Sequence, residues 1–205
     1  LPAEMSKERF DWLSKIAGEV IATPGCESNV KEIFDKTWEL RRTRKDVVIF
    51  NQFEEMGNVL WHYQVTGKAI ADAYESLKTD STRFAGACFT SGSAGTMSAG
   101  DYLKEQYPHA KLAVGEALQC PTLLENGFGG HRIEGIGDKH VPWVHNVKNT
   151  DMVIDIDDED SQNLLRLFNT EDGHRYLTEI VGVPKETVDQ LSLLGISGIA
   201  NVLCC

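Results

Sequence analysis

Ser91-Gly92-Ser93-Ala94-Gly95-Thr96 stands between an apolar run at residues 84–89 and a helix-like stretch at residues 97–106. The order is strand, small-residue loop, helix. A loop almost bare of side chains lets an anion approach the main chain, and the first turn of the next helix offers unpaired N–H groups at the positive end of its dipole. Ser93 and Thr96 add hydroxyl donors. The segment reads as a cup for a phosphate.

Three known motifs can be tested against these letters. A nucleoside-triphosphate loop, G-x-x-x-x-G-K-[ST], needs a lysine that the Gly95-Thr96 step lacks. A dinucleotide fingerprint started at Gly92 puts Ala94 and Met97 where glycines belong, although Glu116 ends the next strand-like run, where a ribose-binding acid could sit. A hydrolase elbow, G-x-S-x-G, is missed because Ser91 occupies its first glycine position. The bland alternative is a Gly-Ser turn in an ordinary strand-to-helix connection, with no ligand.

Working outward, hydrophobic periodicity predicts helices over 7–17, 29–40, 68–77, 97–106 and 159–168, and strands over 19–22, 47–50, 84–89, 112–115 and 152–156. Ser6 is the expected N-cap of the first helix. Alternation of helices with continuously apolar strands predicts an α/β fold: a three-layer αβα arrangement around a mainly parallel sheet. The acidic run at residues 155–160 lacks the glycine of a calcium loop and reads as a solvated helix start.

At 205 residues and 41% hydrophobic content the chain can bury a sizeable core. A net charge of −11 and a pI near 5.0 exclude nucleic-acid backbones and anionic membranes as natural partners. Five cysteines, none in a C-x-x-C pair, together with no signal-peptide pattern, point to a reducing, cytoplasmic setting. The six histidines show no metal-ligand spacing, so no metal is expected.

The letters around the cup repeat a family's signatures in order. Asn51-Gln52-Phe53-Glu54, Asn58, His62 and Thr66-Gly67-Lys68-Ala69-Ile70 resemble the "QFxNPxNxxxHxxTGxEI" stretch of the cysteine synthase and cystathionine β-synthase family. Gly92-Ser93-Ala94-Gly95-Thr96 is similar to its "GTGGT" loop, Leu103-Lys104 to its "LK", and Val114-Gly115-Glu116-Ala117 to its "VEP". His131-Arg132-Ile133-Glu134-Gly135-Ile136-Gly137 with Pro142 resembles "HKIQGIGxxxxP", and Gly195-Ile196-Ser197-Gly198 resembles "GISSG".

The resemblance implies part of the two-domain fold-type II pyridoxal-phosphate architecture, with residues 1–40 in a smaller domain and 41–205 in a larger, cofactor-binding one. It implies pyridoxal 5'-phosphate as cofactor, held by Gly92, Ser93, Ala94, Gly95 and Thr96, lined by Gly135 and Gly137, and met at its pyridine nitrogen by Ser197. Ser197 also reads as an N-cap of the last helix. Gln52 falls where the family contacts the substrate carboxylate. Ala94 replaces a glycine, and its methyl is tolerated only if φ stays negative.

No lysine here sits in the context of the family's Schiff-base lysine, which would precede Leu1, so no catalytic residue is assigned and the chain alone is expected to be an inactive fragment. The resemblance implies that the intact protein is a homodimer performing β-replacement or α,β-elimination on a serine- or cysteine-like amino acid. Its rivals are a non-catalytic regulatory or sensor subunit of the same fold and a nucleotide-binding α/β domain using Glu116. Residues 170–194 are longer than the family's usual path and read as an insertion.

Overall fold

Three parallel strands, β1 (Gly86–Thr90), β2 (Lys111–Ala117) and β3 (Met152–Ile156), form one sheet in the order β1-β2-β3. The computed structural model describes all residues, Leu1–Cys205. The registers align Phe89 with Val114 and Glu116 with Asp155. Side chains alternate across the sheet because strand periodicity is two. Ala113 and Ala117 of β2 pack with Ile156 and with Ala200 and Cys204 of the last helix, α9 (Ile196–Cys204), on one face. Val114 packs with Ala94 and Met97 on the other, against helix α5 (Met97–Gln106). Helix, sheet and helix make the three layers.

Small residues set the layer spacing. A Cβ on Gly100 of α5 would strike the Leu112 side chain, and one on Gly115 would meet Ile156 and Thr90. Helix α5 also packs on a long rod that runs as α3 (Met56–Trp61), a π-helical turn (His62–Gly67) and α4 (Lys68–Leu77). Gly67 sits so close to Tyr102 and the Ala99 carbonyl that a side chain there would part the two helices.

Between β2 and β3 the crossover is mostly irregular, with a single short 3-10 turn (Val147–Asn149). Loops of this length inside a compact unit are usually functional. Beyond β3, α6 (Asp158–Asn169), α7 (Glu171–Arg175), a second π-helical turn (Tyr176–Val181) and α8 (Lys185–Leu191) build a separate apolar cluster. There Phe168, Leu177 and Val188 meet Ile199 of α9. The acidic run starts α6, and the Asp157 side chain accepts the Glu159 N–H and caps the helix, but the run is not all solvated as expected: Asp158 is buried and its Oδ2 accepts the Arg132 N–H at 2.7 Å.

Two expected strands are absent. Residues 19–22 form no strand: the Leu1 ammonium donates to the Ile21 carbonyl at 3.3 Å and an isolated bridge joins Pro2 to Thr23, but no ladder follows. Residues 47–50 form no strand at all; Val48 and Phe50 are 79% and 88% exposed. A strand needs a neighbour for its N–H and C=O groups, and neither segment reaches the sheet. At the N-terminus, α1 (Lys7–Ile16) and α2 (Val30–Thr43) form where periodicity placed them. Ser6, however, does not cap α1; its hydroxyl donates to Glu134 Oε2 at 3.1 Å. No helix is long and apolar enough to cross a membrane.

Candidate functional site

The loop after β1 carries the most unusual polar inventory of the chain. The main-chain N–H groups of Gly92, Ser93, Ala94, Gly95 and Thr96 donate to no protein acceptor, whereas the flanking Ser91 and Met97 N–H groups reach Gly115 O and Ala94 O. Buried or half-buried backbone donors are nearly always paired, so five consecutive free ones mark a place built for an acceptor from outside. All five residues line one cavity of about 210 Å³, together with Gln52, Phe53, Gly135 and Gly137. The N-terminus of α5 opens on the same space.

Neighbouring side chains hold the loop. Asn58 Nδ2 donates to Ser93 Oγ and to the Gln52 carbonyl, each at 3.1 Å, so one amide ties the loop to the Gln52 segment. The buried Ser98 hydroxyl serves the carbonyls of Gly95 and Val59 at 2.6 and 2.8 Å. Thr96 Oγ1 lies 3.3 Å from the Thr90 carbonyl. Ala94 takes φ +62°, against the expectation of a negative value. The left-handed turn is needed to bring the loop round onto α5, and the buried methyl is kept in place by Met97 and Val114.

Opposite the cup, Gly135 and Gly137 take φ +100° and +78°, and Gly137 N–H donates to the Ser91 carbonyl at 2.9 Å. A side chain on Gly137 would run into the His131 ring. Gly135 N–H is bound by Glu27 Oε1 at 2.7 Å. Glu27 and Arg9, neither of them singled out in the sequence, also line the cavity, as does His62 at the start of the π turn. Its Nδ1 contacts Thr66 Oγ1 at 3.0 Å, and burial holds its imidazole below the usual histidine range.

Ser197 takes a different place from its expected one. Gly195, not Ser197, is the N-cap of α9, and Ser197 sits inside the first turn. It is not part of the cavity lining; it stands behind Gly135, where a Cβ would lie 4.0 Å from its own. Asn201, one turn further along α9, links the helix to the site: its Oδ1 accepts the Thr90 N–H at 2.8 Å, and its Nδ2 donates to Thr90 Oγ1 and to Ser197 O. A lone amide four residues after Ser197 in an otherwise apolar helix was the signal for it.

Comparison with known proteins fits this geometry. No family model matches the chain. A probable cysteine synthase of Bacillus subtilis is 30% identical over 174 residues, which cover 84% of this chain and 55% of that protein. A Staphylococcus aureus cysteine synthase is 29% identical over the same length. Among solved structures, a hydrogen sulfide-producing enzyme from Fusobacterium nucleatum superposes on 98% of the chain and 55% of its own, with a TM-score of 0.74 and 26% identity.

In sequence and fold the chain is similar to cysteine synthase-like enzymes of fold type II. It spans about half the length of the curated relatives it matches.

Within the fold-type II frame, the nucleotide reading loses its key residue. Glu116 is buried, and its two carboxylate oxygens each accept a main-chain N–H, from Leu123 and Leu124 at 2.9 Å. Burial holds that carboxyl above its usual range, and each of its oxygens is already engaged by the main chain. Behind the cup lies a small cavity of about 20 Å³, walled by Ser91, Gly92, Glu116 and Asp138 among others. Asp138 is buried, and His140 Nδ1 stands 3.1 Å from its Oδ1. Burial raises the Asp138 carboxyl to about 8 and lowers the His140 imidazole, so at neutral pH the proton of this pair rests on the carboxyl.

Proposed function

We propose that the protein uses pyridoxal 5'-phosphate to carry out β-replacement or α,β-elimination on a serine- or cysteine-like amino acid. The observation that carries this reading is the row of five free N–H groups at residues 92–96, facing a cavity at a helix N-terminus. Backbone donors and a helix dipole are the physical requirements of a phosphate site, and a dianion there completes groups that nothing in the chain completes. The relatives and the shared fold supply the reaction class by analogy.

When bound, the cofactor supplies an electron sink conjugated to the amino acid's α-carbon. The chain's own residues grip, orient and enclose. Gly92, Ser93, Ala94, Gly95 and Thr96 hold the phosphate by main-chain N–H groups. The Thr96 hydroxyl is free to turn from the Thr90 carbonyl, since a 3.3 Å contact is a weak one. Gly135 and Gly137 let the main chain approach the ring closely. Ser197, on α9 behind Gly135, is the hydroxyl assigned to the ring nitrogen by the resemblance; if it turned toward the cavity, a neutral group there, unlike a carboxylate, would not favour ring protonation and the sink would be mild. Gln52 orients the substrate carboxylate. Phe53 and Ile136 exclude water from one side. No lysine lines the cavity, so the covalent attachment of the cofactor is assigned to no residue of these 205.

Cofactor titration tests the reading. The protein should bind pyridoxal 5'-phosphate, and Thr96→Ala should weaken binding roughly tenfold or more, because a hydrogen bond to a charged group contributes about 1.5–3 kcal/mol. A protein that binds an adenine nucleotide and ignores pyridoxal phosphate refutes it.

A further inference from the structure

Behind the Gly135–Gly137 turn lies a group of buried polar atoms that the chain does not pair with one another. His131 is 6% exposed, and neither of its ring nitrogens has a hydrogen-bond partner. Asp158, in the first turn of α6, gives Oδ2 to the Arg132 N–H at 2.7 Å and leaves its buried Oδ1 unpaired. Ser161 is wholly buried, and its hydroxyl is unpaired too. The three residues are neighbours: Asp158 acts electrostatically on His131, and Ser161, three residues further along α6, shares a helix face with Asp158. An unsatisfied buried polar atom costs about 1–3 kcal/mol, so their gathering points to a common partner from outside the chain.

The two edges of the His131 ring can be told apart. A Cβ on Gly137 would lie 2.3 Å from His131 Nε2, so that nitrogen abuts the Gly137 main chain and only a glycine leaves it room. Gly137 in turn takes φ +78° and donates its N–H to the Ser91 carbonyl at 2.9 Å, where the phosphate cup begins. The other nitrogen, Nδ1, is left for Asp158 and Ser161. Burial outweighs the attraction of Asp158, with Lys139 adding to it, and holds the imidazole below the usual histidine range. The ring is therefore neutral at pH 7, with one N–H to give and one bare nitrogen. Nε2 has no acceptor in reach, whereas Nδ1 faces the negative charge of Asp158, so the proton belongs on Nδ1. A water accepting from Nδ1–H and from the Ser161 hydroxyl, and donating to Asp158 Oδ1, makes the roughly three hydrogen bonds usual for a buried water.

We propose that one internal water, held by His131 Nδ1, Asp158 Oδ1 and Ser161 Oγ, locks the His131 ring behind Gly137 and makes His131 a positioning residue for the cofactor site. None of the three residues lines the cavity, so their effect on the cofactor passes through Gly137 and its hold on Ser91. The positioning role rests on the pyridoxal-phosphate reading; the water bridge does not.

Imidazole nitrogen NMR on the native chain tests the bridge. His131 should show a single neutral tautomer with its proton on Nδ1, and Ser161→Ala or Asp158→Asn should turn it into a mixture. Fluorescence titration with pyridoxal 5'-phosphate tests the positioning. His131→Phe keeps the bulk of the ring without its nitrogens and should weaken binding at least fivefold. Ser161→Ala should weaken it by at least twofold, and the double variant should bind no worse than His131→Phe alone, because both changes remove one bridge. Should the phenylalanine variant misfold, Ser161→Ala alone decides: without a bridge it deletes an orphan hydroxyl and leaves tautomer and affinity unchanged. A proton on Nε2, a tautomer that neither variant moves, or fully additive losses would overturn the bridge. Native affinity in His131→Phe would overturn the positioning role, and in all these cases the native chain still binds the cofactor. A native chain that ignores pyridoxal phosphate would remove the positioning role together with the cofactor reading, and the imidazole spectrum would still decide the bridge.

Discussion

Asn58 occupies the volume that a side chain on Gly95 would need: a Cβ there would come within 2.6 Å of Asn58 Nδ2, the atom that donates to Ser93 Oγ. Gly95 is thus fixed by a neighbour and not by its backbone angles, since its φ is not positive. Gly95→Ala is expected to push Asn58 off Ser93, loosen the cup and weaken pyridoxal-phosphate binding by tenfold or more in a fluorescence titration. The double variant Gly95→Ala with Asn58→Ala should bind better than Gly95→Ala alone, because the second change removes the clash. Simple additivity of the two changes would show that they do not touch.

Ala94 supplies a second test, in which two effects oppose. Holding an L-residue in the left-handed region costs about 1–2 kcal/mol, whereas its buried methyl contributes about 0.8 kcal/mol. The backbone strain outweighs the methyl's contribution. Ala94→Gly should therefore leave the fold equal or up to about 1 kcal/mol more stable in urea denaturation, and Ala94→Val should be clearly destabilising. A loss of more than about 1 kcal/mol in the glycine variant would mean that the methyl contacts dominate.

Asp138 sets a pH dependence whose sign follows from its environment. Its carboxyl titrates near 8 when folded and near the ordinary carboxylate value when unfolded, so across that interval the folded protein binds the extra proton. Stability from this group is full at acidic pH and is lost as pH rises through about 8. Asp138→Asn keeps the shape without the ionisation. It should be more stable than the native protein at pH 9 by on the order of 1–3 kcal/mol, with the advantage shrinking toward pH 5. Thermal denaturation at the two pH values checks this; an advantage independent of pH would exclude ionisation as its source.

The centre of the sheet could be read from the letters because β2 is buried on both faces from Leu112 to Ala117, whereas β3, at the edge and only partly buried, was legible from its β-branched run alone. The cup was legible for the opposite reason, a lack of side chains where a helix begins. The failures at residues 19–22 and 47–50 have one cause: an apolar tetrapeptide records its own preference and nothing about a neighbour to pair with. The π turn at His62–Gly67 was hidden because one wide turn barely disturbs a helical pattern, yet it is the turn at which His62 reaches the cavity. Arg9 and Glu27 were invisible as site residues for a plainer reason. They come from the first 30 positions, and only the folded chain brings them beside Gly135 and Glu134.

Asn201 gives the most direct test of how α9 is joined to the site. Its single amide serves the Thr90 N–H, the Thr90 hydroxyl and the Ser197 carbonyl at 2.8, 3.0 and 2.9 Å. Asn201→Ala strands the Thr90 N–H at the end of β1, and an unsatisfied buried donor costs about 1–3 kcal/mol. Asn201→Asp keeps the acceptor for that N–H but loses both donors, so the order of stability should be native, then aspartate, then alanine. Cofactor affinity should follow the same order, because Thr90 lines the cavity and Ser197 rides on the helix that this amide secures. Should the alanine variant match the native protein in both stability and affinity, α9 must be held by its apolar contacts with Ala113, Ala117 and Ile156 alone.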